Sequence, residues 1–165
     1  MHGEGSTQEM ILSPSQAHTR RAVLALIAST LPAAALAQDQ IVTVRKDPSC
    51  GCCTGWVEHL QKAGFTTKVI ETQSLYRVRR RLGVPEELAG CHTAELAGYI
   101  IEGHVPAEAI WRLLQEKPSA TGIAVPGMPV GSPGMEGGAP ERYDVILFGP
   151  AGPRTYMTFV GDRSV

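Results

Sequence analysis

The sequence predicts one α/β domain of the thioredoxin-like class, with the element order βαβ-α-ββα, a C-terminal Pro/Gly flap and an added β-hairpin. The first observation is a C-x-x-C motif, Cys50 and Cys53, that directly follows a strand-like run and precedes a helical pattern. Such a motif beside a βαβ pattern is typical of thioredoxin-like redox proteins. The second observation is the order in which strand and helix periodicities follow one another along the chain.

The first half of the domain alternates strands with helices. Apolar residues recur at helical spacing after the C-x-x-C motif, and Gly64 is a natural C-terminal cap. Ser74 is expected to cap the second helix, which Gly83 ends. The predicted elements are a strand at Ile41–Arg45, a helix at Thr54–Gly64, a strand at Phe65–Thr72 and a helix from Ser74 to Leu82.

The second half begins with a predicted hairpin that follows Cys91 and turns at Ala97-Gly98. Pro106 then opens a third helix. Residues 117–142 are dominated by Pro and Gly, yet they keep enough apolar residues to predict an ordered flap rather than disorder. Two further strands, Tyr143–Phe148 and Arg154–Val160, form the added hairpin.

The amino end predicts an export signal over residues 1–37, cleaved to leave residues 38–165 as the mature domain. Arg20 and Arg21 precede an apolar stretch that ends in Ala35-Leu36-Ala37, a small-residue cleavage site. The stretch is shorter than the roughly 20 residues of a membrane span, and an uncleaved anchor is the alternative. The paired arginines also resemble a twin-arginine signal, which exports folded proteins.

Charge excludes two classes of partner. The signal holds two acidic and two basic residues, so the mature chain keeps the formal charge of −1. This balance predicts neither a nucleic-acid partner nor a membrane surface once the signal is removed. The four arginines of the second helix, residues 77 and 79–81, are interpreted as a solvated face, with partner docking as the alternative.

The cysteines point to a soft metal ion. Cys52 lies inside the C-x-x-C motif, and a third adjacent thiol does not help a two-electron dithiol. Cys91 stands before the hairpin, where ordinary thioredoxin-like proteins carry a cis-proline, and this fold would bring it against the first helix. Helix-end N–H groups would lower the thiol pKa values and favour thiolates. Thiolates and thioethers are the ligands that select Cu(I).

Two structural readings of the same cysteines remain alternatives. Four cysteines in an exported protein ordinarily predict two disulfides, but Cys52 and Cys53 are adjacent and two bridges from one turn would staple little chain. One tetrahedral Zn²⁺ would need two separated pairs. Three thiols within four residues instead suit bridging between several Cu(I) ions.

Two histidines and two methionines are further candidate ligands, and each of them also has a purely structural explanation. His92 and His104 would supply imidazole, although His104 could equally fill a turn. Met128 and Met135 would supply thioethers from the flap, or only pack it onto the core. His59, in the first helix, is expected to be solvated.

The chain resembles the periplasmic thioredoxin-like copper-resistance proteins of the CopG type. Four motifs in order carry the resemblance, from about Ile41 to Phe148: KDPSCGCC at 46–53, GCHT at 90–93, EGHVP at 102–106 and MPVGSPGME at 128–136. The resemblance implies a periplasmic protein of copper homeostasis, with a copper exporter or a multicopper oxidase as partner. It also implies a multinuclear copper site with Cu(I)/Cu(II) redox activity. The implied site residues are Cys50, Cys52, Cys53, Cys91, His92, His104, Met128 and Met135.

Two functions of different classes therefore compete. The first is copper binding, in which removal of any core cysteine loses metal. The second is thiol–disulfide exchange, in which Cys50 is the exposed nucleophile and Cys53 the resolving thiol. The second predicts that Cys52 and Cys91 are dispensable.

Overall fold

The computed structural model describes residues 41–165. The predicted export signal, residues 1–37, lies outside the described residues. None of the helices within residues 41–165 is long and apolar enough to cross a membrane.

The described chain is a mixed α/β fold whose element order agrees with the predicted order as far as the third helix. The strands and helices are β1 (Ile41–Lys46), α1 (Gly51–Lys62), β2 (Thr66–Glu71), α2 (Leu75–Leu82), β3 (His92–Leu96), β4 (Tyr99–Glu102), α3 (Ala107–Glu116), β5 (Gly122–Ala124), β6 (Arg142–Phe148), β7 (Arg154–Val160) and β8 (Arg163–Ser164). A short 3₁₀ turn, Glu86–Leu88, precedes the loop to β3.

All eight strands form one sheet in the order β2-β1-β3-β4-β5-β6-β7-β8. The β1–β2 and β4–β5 pairs are parallel, and the other neighbours are antiparallel. The predicted hairpins β3–β4 and β6–β7 are both present. Sequence patterns missed β5, a fully buried three-residue strand inside the Pro/Gly-rich region, through which the second hairpin joins the main sheet.

Helix α1 packs one apolar face on the sheet, with Cys53, Trp56, Val57 and Leu60 buried at helical spacing. Trp56 is fully buried and its indole N–H donates to the Val105 carbonyl at 2.8 Å. The helix begins at Gly51 rather than at the predicted Thr54. The cysteine motif therefore forms its N-cap and first turn.

The helix ends follow the predictions in part. Gly83 ends α2 with φ +73° and Gly64 follows α1 with φ +92°, as their sequence positions predict. Ser74 occupies the N-cap of α2, but its side chain makes no capping hydrogen bond. Its amide is instead bonded to the Thr72 hydroxyl at 3.1 Å, which fixes the entry to the helix.

The β4–β5 contact predicts a sensitive glycine. A Cβ at Gly122 would lie 2.9 Å from the Ile100 amide nitrogen, so Gly122→Ala must push β5 away from β4. We expect a loss of about 1–3 kcal/mol in the free energy of unfolding, measured by denaturant titration. Gly51→Ala is the control, since its Cβ would meet nothing within 4 Å. Equal stability of the two variants would contradict the close pairing.

Candidate metal centre

The first part of the site is the turn that leads from β1 into α1. Asp47 accepts hydrogen bonds from the Ser49 amide at 2.9 Å and the Ser49 hydroxyl at 2.5 Å, and both bonds lower the pKa of its carboxyl. The Cys50 amide donates to the Asp47 carbonyl at 3.1 Å. Cys50 is thereby placed at the N-cap of α1, with no side-chain capping bond.

The second part is the loop before β3, which carries Cys91. The Cys91 Sγ lies 4.0 Å from the Cys52 Sγ, and the Cys52 Sγ lies 3.5 Å from the Cys50 Sγ. The Cys53 Sγ lies 3.5 Å from the Cys91 carbonyl oxygen. All four sulfur atoms are within 4.8 Å of one another. The structure thus brings Cys91 to the three cysteines at positions 50–53, from which the sequence separates it.

Two of these cysteines are joined. Cys50 and Cys53 form a disulfide, while Cys52 and Cys91 are free. The C-x-x-C pattern predicts thiolates at the helix end, but in this structure the sulfurs of Cys50 and Cys53 are oxidised. A disulfide sulfur is not the thiolate that binds metal, so a four-thiolate site requires two-electron reduction.

The free thiol of Cys91 does not share the lowered pKa that was expected for the C-x-x-C motif at the helix end. Burial, and then the neighbouring Cys52, raise the pKa of the Cys91 thiol to about 12. Cys91 lies in a loop rather than in the first turn of a helix, so it does not share the electrostatic environment expected for the C-x-x-C. It is a protonated thiol at neutral pH, and a metal ion would have to displace that proton.

Two fully buried imidazoles border Cys91. The His104 Nε2 lies 2.8 Å from the Cys91 Sγ, and the His104 Nδ1 lies 2.7 Å from the Pro133 carbonyl. Because a carbonyl only accepts, Nδ1 carries the proton and Nε2 keeps its lone pair towards the thiol. A ring oriented in this way is in the ligand form.

His92 is the second imidazole. Its Nδ1 lies 3.5 Å from the Cys91 Sγ, and its ring packs on Trp56 with centroids 4.2 Å apart. The His92 Nε2 is buried without a hydrogen-bond partner among residues 41–165. Burial lowers the pKa of both histidines, and that of His92 lies well below its usual value. Both rings are therefore neutral at pH 7.

The Pro/Gly segment, defined here as residues 125–141, lies against the first turns of α1. A Cβ at Gly134 would be 2.7 Å from the Trp56 amide nitrogen and in collision with the Cys52 carbonyl. Only a residue without a side chain permits this approach, and φ at Gly134 is +85°. The bond from His104 to the Pro133 carbonyl ties the same stretch to the site.

The two candidate methionines have different surroundings. Met135 is half-buried and follows Gly134, so the backbone beside it contacts α1. The side chain of Met128 is 54% exposed. The neighbouring Gly127 amide approaches the Ala89 carbonyl at 3.5 Å, beside the Cys91 loop.

The solvated-face interpretation of the second helix is confirmed for Arg77, Arg80 and Arg81, which are exposed, but it was wrong for Arg79, and the expectation of a solvated His59 was also wrong. His59 is half-buried rather than solvated, because its Nε2 accepts a hydrogen bond from the Ala107 amide at 3.0 Å and so caps α3. Arg79 is not part of a solvated face, since its Nε donates to Glu102 Oε1 at 2.7 Å. Sequence reasoning missed Glu102, although a carboxylate at the end of the apolar run Tyr-Ile-Ile was a signal of a buried charge that needs a partner.

The chain has relatives among proteins of known structure and sequence family. Residues 88–135 match the family described as "Protein of unknown function, DUF411". The solved structure "Copper resistance protein copG- Form 1" is 39% identical, with a TM-score of 0.69, over 74% of this chain and 99% of that chain. "Copper resistance protein copG- Form 2" is also 39% identical, with a TM-score of 0.65, over 76% of this chain and 97% of that chain. No curated protein matches the chain.

The alignment at 39% identity spans 99% and 97% of the two matched chains, and the DUF411 match includes Cys91, His92 and His104. The chain therefore belongs to the CopG-type copper-resistance family.

Proposed function

We propose that the chain is a copper-binding protein of copper homeostasis that holds Cu(I) in the site between α1 and the Cys91 loop. The observation that carries the proposal is the convergence of four sulfur atoms within 4.8 Å of one another, bordered by two neutral imidazoles. The names of the matched structures, which refer to copper resistance, support the choice of metal. The proposed ligands are Cys50, Cys52, Cys53, Cys91, His92, His104, Met128 and Met135.

The donor set fits a soft metal ion. Thiolate sulfur selects Cu(I), and imidazole serves both copper and zinc. The His92 Nδ1 lies 3.5 Å from the Cys91 Sγ, and its buried Nε2 has no hydrogen-bond partner among residues 41–165. Cys50, Cys52 and Cys53 share one helical turn, so their sulfurs suit bridging between neighbouring ions better than closing around one. We therefore propose more than one Cu(I) per chain.

The disulfide makes loading depend on redox state. Reduction of the Cys50–Cys53 bond by an external dithiol takes two electrons and two protons from that dithiol, leaves it as its own disulfide, and restores the two thiols of Cys50 and Cys53. The reduced chain then offers four sulfurs, whereas the oxidised chain offers only the thiols of Cys52 and Cys91. We propose that copper is held by the reduced form. The Cu(I)/Cu(II) redox activity that the family resemblance implies belongs to this same site.

The Pro/Gly segment is proposed to cover the site. Its backbone packs against α1 at Gly134, and the Pro133 carbonyl orients His104. By excluding water, the segment would protect bound Cu(I). Met135, which is half-buried and directly follows Gly134, lies next to this contact in the sequence. The exposed Met128 is proposed as the thioether that meets incoming copper.

Fold, compartment and partners complete the proposal. The β1-α1-β2 unit with its parallel pair, followed by the β3–β4 hairpin and α3, supports a thioredoxin-like fold. We propose that residues 1–37 direct export to the periplasm and are cleaved, leaving residues 38–165. A copper exporter or a multicopper oxidase is the proposed partner.

Thiol–disulfide exchange is the second candidate, and the observed disulfide favours it. Cys50 is half-buried and Cys53 is fully buried, as expected of a nucleophile and a resolving thiol. The free Cys91 Sγ, near Cys52 and His104, has no part in such an exchange. Metal binding uses all four sulfurs, so the two candidates differ at Cys52 and Cys91.

The first test is Cys91→Ser in the mature chain, reduced and handled without oxygen. The wild type is expected to bind more than one Cu(I), and the variant is expected to lose at least one, because a hydroxyl is a poor ligand for Cu(I). Copper per chain is measured by atomic spectroscopy after desalting, and circular dichroism checks the fold. Unchanged loading would remove Cys91 from the site.

Three single substitutions, Cys91→Ser, Cys52→Ser and Cys50→Ser, separate copper binding from thiol–disulfide exchange. Exchange chemistry predicts that Cys91→Ser and Cys52→Ser both retain full insulin-reducing activity and that Cys50→Ser abolishes it. Copper binding predicts that each of the three substitutions lowers copper content. A chain that reduces insulin and carries no copper in any state would overturn the proposal in favour of dithiol exchange.

The second test concerns the covering segment. Gly134→Ala is expected to lift the segment from α1, because its Cβ would collide with the Cys52 carbonyl. Bound Cu(I) should then transfer to a small chelator several-fold faster, followed by absorbance in a stopped-flow instrument. Gly137→Ala is the matched control, since φ is also positive there but a Cβ would meet nothing within 4 Å. Equal transfer rates in both variants would contradict a covering role.

A further inference from the structure

Glu102 is a carboxylate in the interior of the fold. It ends β4, lies opposite Thr93 in the β3–β4 register, and is fully buried. A buried charge is costly unless it is paired and hydrogen-bonded. Burial accordingly raises the pKa of its carboxyl, and the donors around it act in the opposite direction.

Three donors satisfy this carboxylate. Oε1 accepts from the Arg79 Nε at 2.7 Å and from the Gly90 amide at 2.8 Å, and Oε2 accepts from the Thr93 hydroxyl at 2.6 Å. The Arg79 Nη2 also donates to the Gly90 carbonyl. Arg79 and Glu102 together therefore hold both backbone polar groups of Gly90.

These contacts lie on both sides of Cys91 and His92. Gly90 precedes Cys91 and His92, and Thr93 follows them. The Glu102 carboxylate therefore accepts hydrogen bonds from the residues on both sides of this pair. The His92 carbonyl also accepts from the Gly103 amide at 3.0 Å. The two glycine backbones are so close that a Cβ at Gly90 would lie 2.5 Å from the Gly103 Cα.

We propose that Glu102 and Arg79 are positioning residues for the metal centre. They act through the backbone of Gly90 and the hydroxyl of Thr93, and they fix the loop on which Cys91 stands. That loop sets the 4.0 Å between the Cys91 and Cys52 sulfurs and the 2.8 Å between the Cys91 Sγ and the His104 Nε2. The inference rests on the proposed copper function and adds two residues that are not themselves ligands.

The other ion pairs of residues 41–165 have a different character. Arg45–Glu95 and Arg112–Glu116 are more exposed, and each joins two side chains without holding a loop. A buried ion pair is seldom the most stable filling for a protein interior, since apolar residues of similar volume serve as well or better. The Arg79–Glu102 pair makes hydrogen bonds to Gly90 and Thr93, and an apolar pair could not make these bonds.

The test compares Glu102→Gln with Glu95→Gln in the full mature chain. Glu102→Gln keeps the shape and removes the charge that Arg79, Gly90 and Thr93 share. Glu95→Gln breaks an ion pair on the neighbouring strand without touching the Cys91 loop. Two quantities are measured on reduced protein: Cu(I) affinity, by competition with a chromophoric chelator, and the alkylation rate of Cys91 in the metal-free chain, by mass spectrometry.

We expect Glu102→Gln to bind Cu(I) about tenfold more weakly, at the lower end of the effect of losing an outer-shell partner. Cys91 should be alkylated several-fold faster, because the loosened loop exposes its thiol. Glu95→Gln should stay within about twofold of wild type in both. A Glu102→Gln variant that matches wild type, or equal losses in both variants, would overturn the inference.

Two further outcomes are decisive. If circular dichroism finds Glu102→Gln unfolded, Thr93→Val replaces it, since it removes only the hydroxyl bond to Oε2, and unchanged affinity and alkylation there would overturn the inference. If wild type binds no Cu(I), the proposed function fails. The alkylation rates of the metal-free chains then still decide whether Glu102 positions Cys91.

Discussion

The antiparallel pairing of β1 with β3 is the constraint on which the site depends. It places Lys46, the last residue of β1, opposite His92, the first residue of β3. The chain leaves β1 into the turn that carries Cys50, and it reaches β3 through the loop that carries Cys91. Cys53 and Cys91, 38 positions apart, therefore meet where these two strands adjoin the site, and the approach of Cys91 to Cys52 and Cys53 follows from that register, as does the position of His92.

A second principle is that the site is assembled largely from neutral donors. Burial raises the pKa of the Cys91 thiol to about 12 and lowers the pKa values of His92 and His104. Lys46 and Glu102 are charged groups buried beside them: the Lys46 ammonium donates to the Asp47 carbonyl at 2.9 Å, and the Glu102 carboxylate pairs with Arg79 and accepts from the Gly90 amide and the Thr93 hydroxyl. A soft cation that replaces thiol protons suits such an interior, since it brings the positive charge that stabilises thiolates.

Local patterns predicted much of the fold, because helix periodicity, Gly83 and the Ala97-Gly98 turn are readable from neighbouring residues. They also predicted that Cys91 lies near the C-x-x-C motif. They missed β5, whose three residues carry no periodicity, and the roles of His59 and Glu102, which depend on amides distant in sequence. The sequence pattern also could not predict that Cys50 and Cys53 form a disulfide, because a C-x-x-C motif occurs in dithiol, disulfide and metal-bound states.

The most direct test of the central claim is X-ray absorption at the copper K edge of the reduced mature chain loaded with Cu(I). The account predicts a first coordination shell dominated by sulfur, together with scattering from a neighbouring copper atom. A shell of nitrogen and oxygen alone, with no copper neighbour, would place the metal elsewhere and contradict the four-cysteine centre.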